Sequence, residues 1–180
     1  MREISLHVLD IIQNSIAAEA DLIKLIIEEN HKKDKLIVKI IDDGKGMGEE
    51  KQKEVLDPFV TSRTTREVGL GLPLFKEAAL QCNGDFELTS TVGEGTELKA
   101  TFQHSHIDRA PLGDIVGTII SFLVSNPDIE LVYQHQVDDE EFKLDTREVK
   151  EKLGGVKINS PDVIAWLKDY LKEGLRQIRR

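Results

Sequence analysis

A single cysteine, Cys82, leaves the chain with no internal disulfide to form. Long apolar runs are missing too: none approaches the ~18 residues that a membrane-spanning helix needs. Glu3 and Asp10 interrupt the N-terminus where a secretory signal would need an unbroken apolar stretch. Positive charge is in deficit. Lys and Arg number 24 against 33 Asp and Glu, a net charge of -9. That balance argues against a nonspecific grip on nucleic acid or an anionic membrane, since both need a basic surface. Internal repeats and low-complexity segments are absent as well. The expectation is a cytoplasmic protein that binds neither nucleic acid nor membrane. What is present suits a globular chain: 39% hydrophobic and 32% charged residues over a length of 180. That length holds one full core or two small ones.

Helical periodicity runs over 4–20, with Val8, Leu9, Ile11, Ile12, Ser15 and Ile16 on one apolar side. The stretch 22–28 alternates as a half-buried strand does. The stretch 36–41 is apolar almost throughout and predicts a central strand covered on both faces. The polar link 30–34 reads as a hairpin loop. A Gly-rich segment follows at 42–48, then a short helix over 49–56. The stretch 57–71 reads as a long irregular loop, and such loops in compact domains are usually functional or disordered. A helix is predicted over 72–81, ending at Asn83-Gly84. Residues 86–91 and 97–102 predict a second hairpin. Composition shifts near His104, which separates a first unit, 1–104, from a C-terminal α+β extension, 105–180. In the extension, Pro111 suits the first turn of a helix reaching Val124. Residues 129–135 and 140–144 read as a hairpin. Asp145 or Thr146 suits the cap of a short helix ending at Gly154-Gly155. Ser160-Pro161-Asp162 starts a last helix, reaching Leu175.

The chemistry begins on the first helix. Asp10 and Asn14 stand four apart and project from one face, with His7 one turn earlier on it. Alone, such a row is a solvated polar stripe opposite an apolar one. Asn also offers a neutral carbonyl oxygen suited to Mg²⁺, which takes few protein ligands beside phosphates. A carboxylate one turn away can accept a proton from water. Directly after the apolar strand comes Asp42-Asp43-Gly44-Lys45-Gly46. Glycine lets the backbone turn sharply and approach a flat ligand, and a carboxylate at the strand end can accept a hydrogen bond from an exocyclic amine. An Asp-Gly turn is the plain alternative. Gly69-Leu70-Gly71-Leu72 precedes a helix, so its free amides can form an anion site. It is no Walker loop, since no Gly-Lys-Ser/Thr follows, and no Rossmann fingerprint, which needs a strand before it. Gly93-Glu94-Gly95-Thr96 alone reads as a hairpin turn. His104 and His106 alternate near a strand end, and two such groups without a third read as surface residues.

In this order and spacing the segments resemble the ATPase family of DNA gyrase B, the heat-shock chaperones, the histidine kinases and MutL. The resemblance covers 4–102. The run Asp10-Ile11-Ile12-Gln13-Asn14-Ser15 is similar to the family's N box, and Asp42-x-Gly44-x-Gly46 to its first glycine box. Asp57-Pro58-Phe59-Val60-Thr61-Ser62-Arg63 resembles a Pro-Phe-Phe-Thr-Thr-Lys stretch of kinase members. Gly69-x-Gly71-Leu72 resembles the second glycine box, and Gly93-x-Gly95-Thr96 the Gly-Thr end of the last. The resemblance implies an α+β fold, a two-layer α/β sandwich of the Bergerat type, with ATP and Mg²⁺ held between helices and lid. It implies that Asp42 accepts from the adenine amino group, that Gly46 lines the base and that Thr96 supports it through water. Asn14 would bind Mg²⁺, and Gly69 and Gly71 would cradle phosphates. Thr61, Ser62 and Arg63 would reach the outer phosphates. Gly44, Met47, Leu70 and Leu72 complete the implied ATP-contacting set, and Asp10 is the implied catalytic base.

Three departures bear on turnover more than on binding. Hydrolytic relatives carry Glu where this chain has Asp10, one methylene shorter; histidine kinases usually carry Asn. Ala17 stands three positions after the Asn, where an acidic or basic residue is common. Glu67 replaces the glycine that often opens the second box. Only residues 1–3 precede the first helix, so a phosphoacceptor hairpin is expected to be absent, and none of the five histidines lies in a recognisable phosphoacceptor helix. The implied form is stand-alone: a weak ATPase, or a kinase acting in trans on a partner protein as anti-sigma-type members do. The other class is a non-catalytic ATP-sensing subunit whose lid signals to its partner. A homodimer is left open. The extension resembles no module. Its last helix, with Trp166, Leu167, Tyr170 and Leu171, is expected to pack on the ATPase layer, with a partner surface as the alternative.

Overall fold

The computed structural model describes residues 3–59 and 71–180. The elements, in chain order, are α1 (Ile4–Ala17), β1 (Leu22–Asn30), β2 (Lys35–Asp42), α2 (Glu49–Leu56), α3 (Gly71–Gln81), β3 (Asp85–Thr91) and β4 (Gly95–Gln103). Then follow α4 (Ile115–Ser125), β5 (Glu130–Val137), β6 (Glu140–Asp145), α5 (Thr146–Leu153) and α6 (Pro161–Ile178). The strands join in one sheet, in the order β3-β4-β2-β1-β5-β6. Each neighbouring pair is antiparallel except β1 and β5, which run parallel.

Register explains which face the helices cover. Ile23, Leu25 and Ile27 of β1 stand beside Asp42, Ile40 and Val38 of β2 and beside Leu131, Tyr133 and His135 of β5. Leu36, Val38 and Ile40 stand beside Phe102, Ala100 and Leu98 of β4. Side chains alternate along a strand, so these residues share one face, and all but Asp42 are buried. Val8 and Ile12 of α1, Phe75 and Ala79 of α3, Ile119 and Phe122 of α4, and Leu167 and Leu171 of α6 join them in one core. Burying a large aliphatic or aromatic side chain stabilises by about 1.5–3 kcal/mol, so this layer of helices is held mainly by its apolar stripes. The result is the two-layer α+β sandwich that the resemblance implies.

Several expectations need correction. β2 is central but not covered on both faces: Leu36, Val38 and Ile40 are buried, while Ile37, Lys39 and Ile41 between them are half-buried. Branched apolar residues suit a pleated surface even where it is partly wet, and that made the run look doubly covered. Pro111 does not open a helix. Its carbonyl and that of Leu112 accept from the Ile4 and Ser5 amides at 2.9 and 2.8 Å, tying the linker to the start of α1. α4 begins after Asp114, whose Oδ1 accepts from the Gly117 amide at 2.8 Å as an N-cap. α6 runs past Leu175 because Ile178 continues its buried stripe. Residues beyond 104 supply β5 and β6, added to the sheet alongside β1. Among the described residues no helix is long and apolar enough to cross a membrane.

Candidate functional site

On the helix-facing side of the sheet, a polar row closes the end of the β3–β4–β2 half. There Ser90, Thr96 and Asp42 are side-by-side partners on β3, β4 and β2. Ser90 and Thr96 share a hydrogen bond of 2.8 Å, and the Ser90 hydroxyl also accepts from the Met47 amide at 2.8 Å. Asp42 is fixed from two sides. Its Oδ2 accepts from the Ser15 hydroxyl at 2.6 Å, and its Oδ1 from the Gly44 amide at 2.9 Å. An ionised carboxylate has about four acceptor sites, so Asp42 keeps capacity for another donor.

The glycines bring the surrounding turns into contact. Gly46 has φ +69°, and a Cβ there would lie 2.0 Å from the Thr91 carbonyl oxygen. Gly95 has φ +124°, and a Cβ there would lie 2.0 Å from the Asp42 carbonyl oxygen. Any side chain at either place would push the β2–α2 segment away from the β3–β4 hairpin. Gln52 of α2 closes this corner, donating at 3.0 Å to the carbonyls of both Met47 and Ser90.

These contacts leave an open-mouthed cavity between α1, the sheet end and α2. Its empty space, counting the open mouth, is about 640 Å³. Asn14, Asp42, Gly46, Met47, Leu72 and Thr96 line it, so the structure brings these sequence-marked residues together. Gly44 sits behind Asp42 against Ala18, whose carbonyl oxygen a Cβ would meet at 2.7 Å. Asp10 is not among the lining residues. It lies beside Gly71 at the start of α3, half-buried, and burial raises its pKa above the ordinary carboxylate value. Thr61, Ser62, Arg63, Glu67, Gly69 and Leu70 lie outside the described residues.

Sequence reasoning missed the lining residues Ile11, Ser15, Lys45, Lys51, Leu88 and Leu98. By periodicity Ser15 belongs to the apolar side of its helix, and Lys45 stands between two glycines that carry the turn. His7 needs correction. It does not share a solvated stripe with Asp10 and Asn14: α3 covers that turn. The His7 ring is buried and stacks on Phe75 with centroids 5.0 Å apart, and its Nδ1 has no hydrogen-bond partner. Burial pushes its pKa down to about 4. His104 is no simple surface residue either. It packs against the His31 ring at 4.7 Å and places Nε2 3.6 Å from Glu29 Oε1. His106 instead accepts from the Asp108 amide at 3.1 Å through Nδ1. Among the described residues no group of three or more His, Cys, Asp or Glu is placed to hold a metal ion.

Chemically, the cavity offers one anchored carboxylate, apolar walls from Ile11, Ile40, Leu88 and Leu98, and a neutral amide at Asn14. That combination suits a flat heteroaromatic ring with an exocyclic amine.

The sequence pattern of the histidine kinase-, DNA gyrase B- and HSP90-like ATPases matches residues 2–106. The chain belongs to that family. It is 32% identical over 94 residues to sporulation kinase D of Bacillus subtilis (strain 168), a match covering 52% of this chain and 18% of that protein. It is 34% identical over 89 residues to a non-motile and phage-resistance protein of Caulobacter vibrioides, covering 47% of this chain and 11% of the other. The chain thus spans less than a fifth of these relatives' length. Among solved structures, the N-terminal domain of a DNA repair protein superposes with a TM-score of 0.53 at 14% identity, over 81% of this chain and 52% of that one. The Aquifex aeolicus MutL ATPase domain complexed with ADP gives 0.50 at 16% identity, over 85% and 68%. At such identities the structural likeness speaks for the fold alone.

Proposed function

We propose that this chain binds ATP with Mg²⁺ in the cavity beside Asp42 and uses the bound nucleotide in signalling to a partner protein, either by slow hydrolysis or by phosphorylating that protein. The observation that carries the reading is the anchored Asp42 carboxylate, held by Ser15 and Gly44 and facing a cavity that Asn14, Met47 and Thr96 also line. Asp42 accepts from the adenine amino group, while Gly46 and Met47 pack on the ring. Asn14 supplies an amide oxygen to Mg²⁺, which neutralises phosphate charge when bound. In this reading Thr61, Ser62 and Arg63 would reach the outer phosphates and Gly69 and Gly71 would cradle them. Residues 1–104 form the nucleotide-binding unit, and 105–180 an extension of it. The protein works in the cytoplasm, where ATP is supplied.

Asp10 is the base in this reading, taking a proton from water or from an acceptor hydroxyl. A second reading is favoured by Asp10 itself, which is short and stands outside the cavity lining: the chain senses ATP without consuming it. Two measurements test the proposal. Calorimetry against ATP and GTP should show binding selective for adenine, and equal affinity would sink the Asp42 assignment. With ³²P in the γ-position, the enzymatic reading requires free phosphate or a labelled protein, and the sensing reading requires neither.

A further inference from the structure

β6 is the terminal strand of the sheet, and its outer edge has no partner strand among the described residues. Beside that edge runs a groove bounded by β6, α5 and α6. Trp166 and Tyr170 of α6 form its wall. They stack on each other with centroids 5.1 Å apart and 11° between their planes, and both are exposed. Tyr170 in turn packs on Phe142 of β6 at 5.3 Å. Unpaired backbone groups and an exposed aromatic patch therefore lie side by side.

The charge order along β6 selects the occupant. We propose that two copies of this chain pair antiparallel through β6, centred on Phe142, so that the sheet continues across a two-fold axis. In a continuous sheet, directly opposed residues share a face. Registers of that symmetry are therefore centred on a residue. Centring on Phe142 sets Glu141 opposite the partner subunit's Lys143 and Lys143 opposite the partner subunit's Glu141, giving two cross-strand ion pairs. Centring on Lys143 instead opposes lysine to lysine and Glu141 to the partner subunit's Asp145. A mid-strand lysine usually guards an edge against pairing; here a self-complementary partner stands two residues away. Glu141 already accepts from Gln134 at 2.6 Å, and its carboxylate has room for a second donor. The opposite edge, β3, carries Asp85 and Glu87 with no basic residue, so no self-register gives it an ion pair. The two-fold axis also brings both aromatic grooves to the same side of the extended sheet, where each Trp166–Tyr170 wall is covered. A strand pair alone is smaller than a stable interface needs, and those aromatics enlarge it.

The test uses the full chain and charge reversal. Light scattering coupled to size exclusion should give a dimer for wild type at micromolar concentration. Lys143→Glu alone and Glu141→Lys alone should each raise the dimer dissociation constant by at least about tenfold, since each replaces two attractions with two repulsions. The double variant E141K/K143E should restore the dimer, and unchanged circular dichroism shows that the fold is intact. Trp166 is the only tryptophan, so its emission should shift to the red as wild type is diluted and stay constant in Lys143→Glu. A monomeric wild type overturns the proposal and leaves the β6 edge to a strand of some other protein. A dimer indifferent to both reversals overturns it too, by placing the contact elsewhere.

Discussion

Gly71, the first residue of α3, presses directly on Asp10: a Cβ at Gly71 would lie 3.0 Å from the Asp10 Cβ and 3.4 Å from its Oδ2. The candidate base therefore lies directly against the first turn of α3. Replacing Asp10 by Asn keeps the shape and removes the ability to take a proton. Asp10→Asn should keep nucleotide affinity and lose the slow phosphate release, typically by about 10²–10⁴-fold for a lost general base. Burial raises the pKa of Asp10, and a base must be ionised to act. The wild-type rate should therefore fall on the acid side at a higher pH than an ordinary carboxylate would dictate. Phosphate release at saturating Mg-ATP, followed across pH beside a binding titration, checks both points. An Asn variant as fast as wild type shows that Asp10 is no base.

Asn14 lines the cavity from α1, and its proposed contact is the metal rather than the ring. Asn14→Ala should weaken Mg-ATP binding and leave magnesium-free adenosine binding nearly intact. Calorimetry with the two ligands decides: equal losses make Asn14 a structural residue.

Asp42→Asn should abolish detectable ATP binding. A charge-assisted hydrogen bond is worth about 1.5–3 kcal/mol, and an amide would also present a donor to the Ser15 hydroxyl or to the Gly44 amide, which now donate to the carboxylate. Ser15→Ala should give a milder loss, because Gly44 still holds one oxygen. Affinity of Asp42→Asn within about twofold of wild type would rule out the adenine role, given the size of a charge-assisted bond.

His7 predicts a pH dependence of stability. Its folded pKa is about 4 against an ordinary 6.5, because burial disfavours the charged ring. Between those values the unfolded chain binds a proton that the folded chain refuses, so stability is present above about pH 6.5 and falls as pH drops toward 4. The limiting slope is about 1.4 kcal/mol per pH unit. His7→Phe keeps a ring on Phe75 and removes the titration. Urea unfolding of both proteins from neutral to acid pH should show the wild type losing ground to the variant across this window. Parallel curves would mean that His7 takes up its proton without leaving the core.

Local patterns made much of this legible. Asp42, Gly44 and Gly46 are close in sequence, and steric demands on a tight turn leave few residues that fit. Asn14 and Leu72 belong to helices whose periodicity marks them, and the alternation in β1 announces its buried face. The rest depends on contacts across the sequence. His7 shares a helical face with Asp10 by angle, but Phe75 of α3 decides that it is buried. Ser15 reads as part of an apolar stripe until β2 brings Asp42 within 2.6 Å of it. Pro111 has the chemistry of a helix start, and only the approach of Ile4 reveals that its carbonyl is needed elsewhere. The parallel pairing of β5 with β1 leaves no trace in either strand's own composition.

That pairing has a consequence for any shortened form of the chain. β1 is nine residues long, with β2 along one side and β5 along the other, yet the family pattern stops at residue 106, well before β5 begins. A fragment cut at that point would display a long bare edge beside Ile23, Leu25 and Ile27, the geometry that recruits foreign strands into aggregates. β5 therefore acts as a built-in gatekeeper, keeping the half of the molecule that carries the family pattern out of insoluble assemblies. Loss of residues 107–180 should be felt first as failed expression, before any question of chemistry arises.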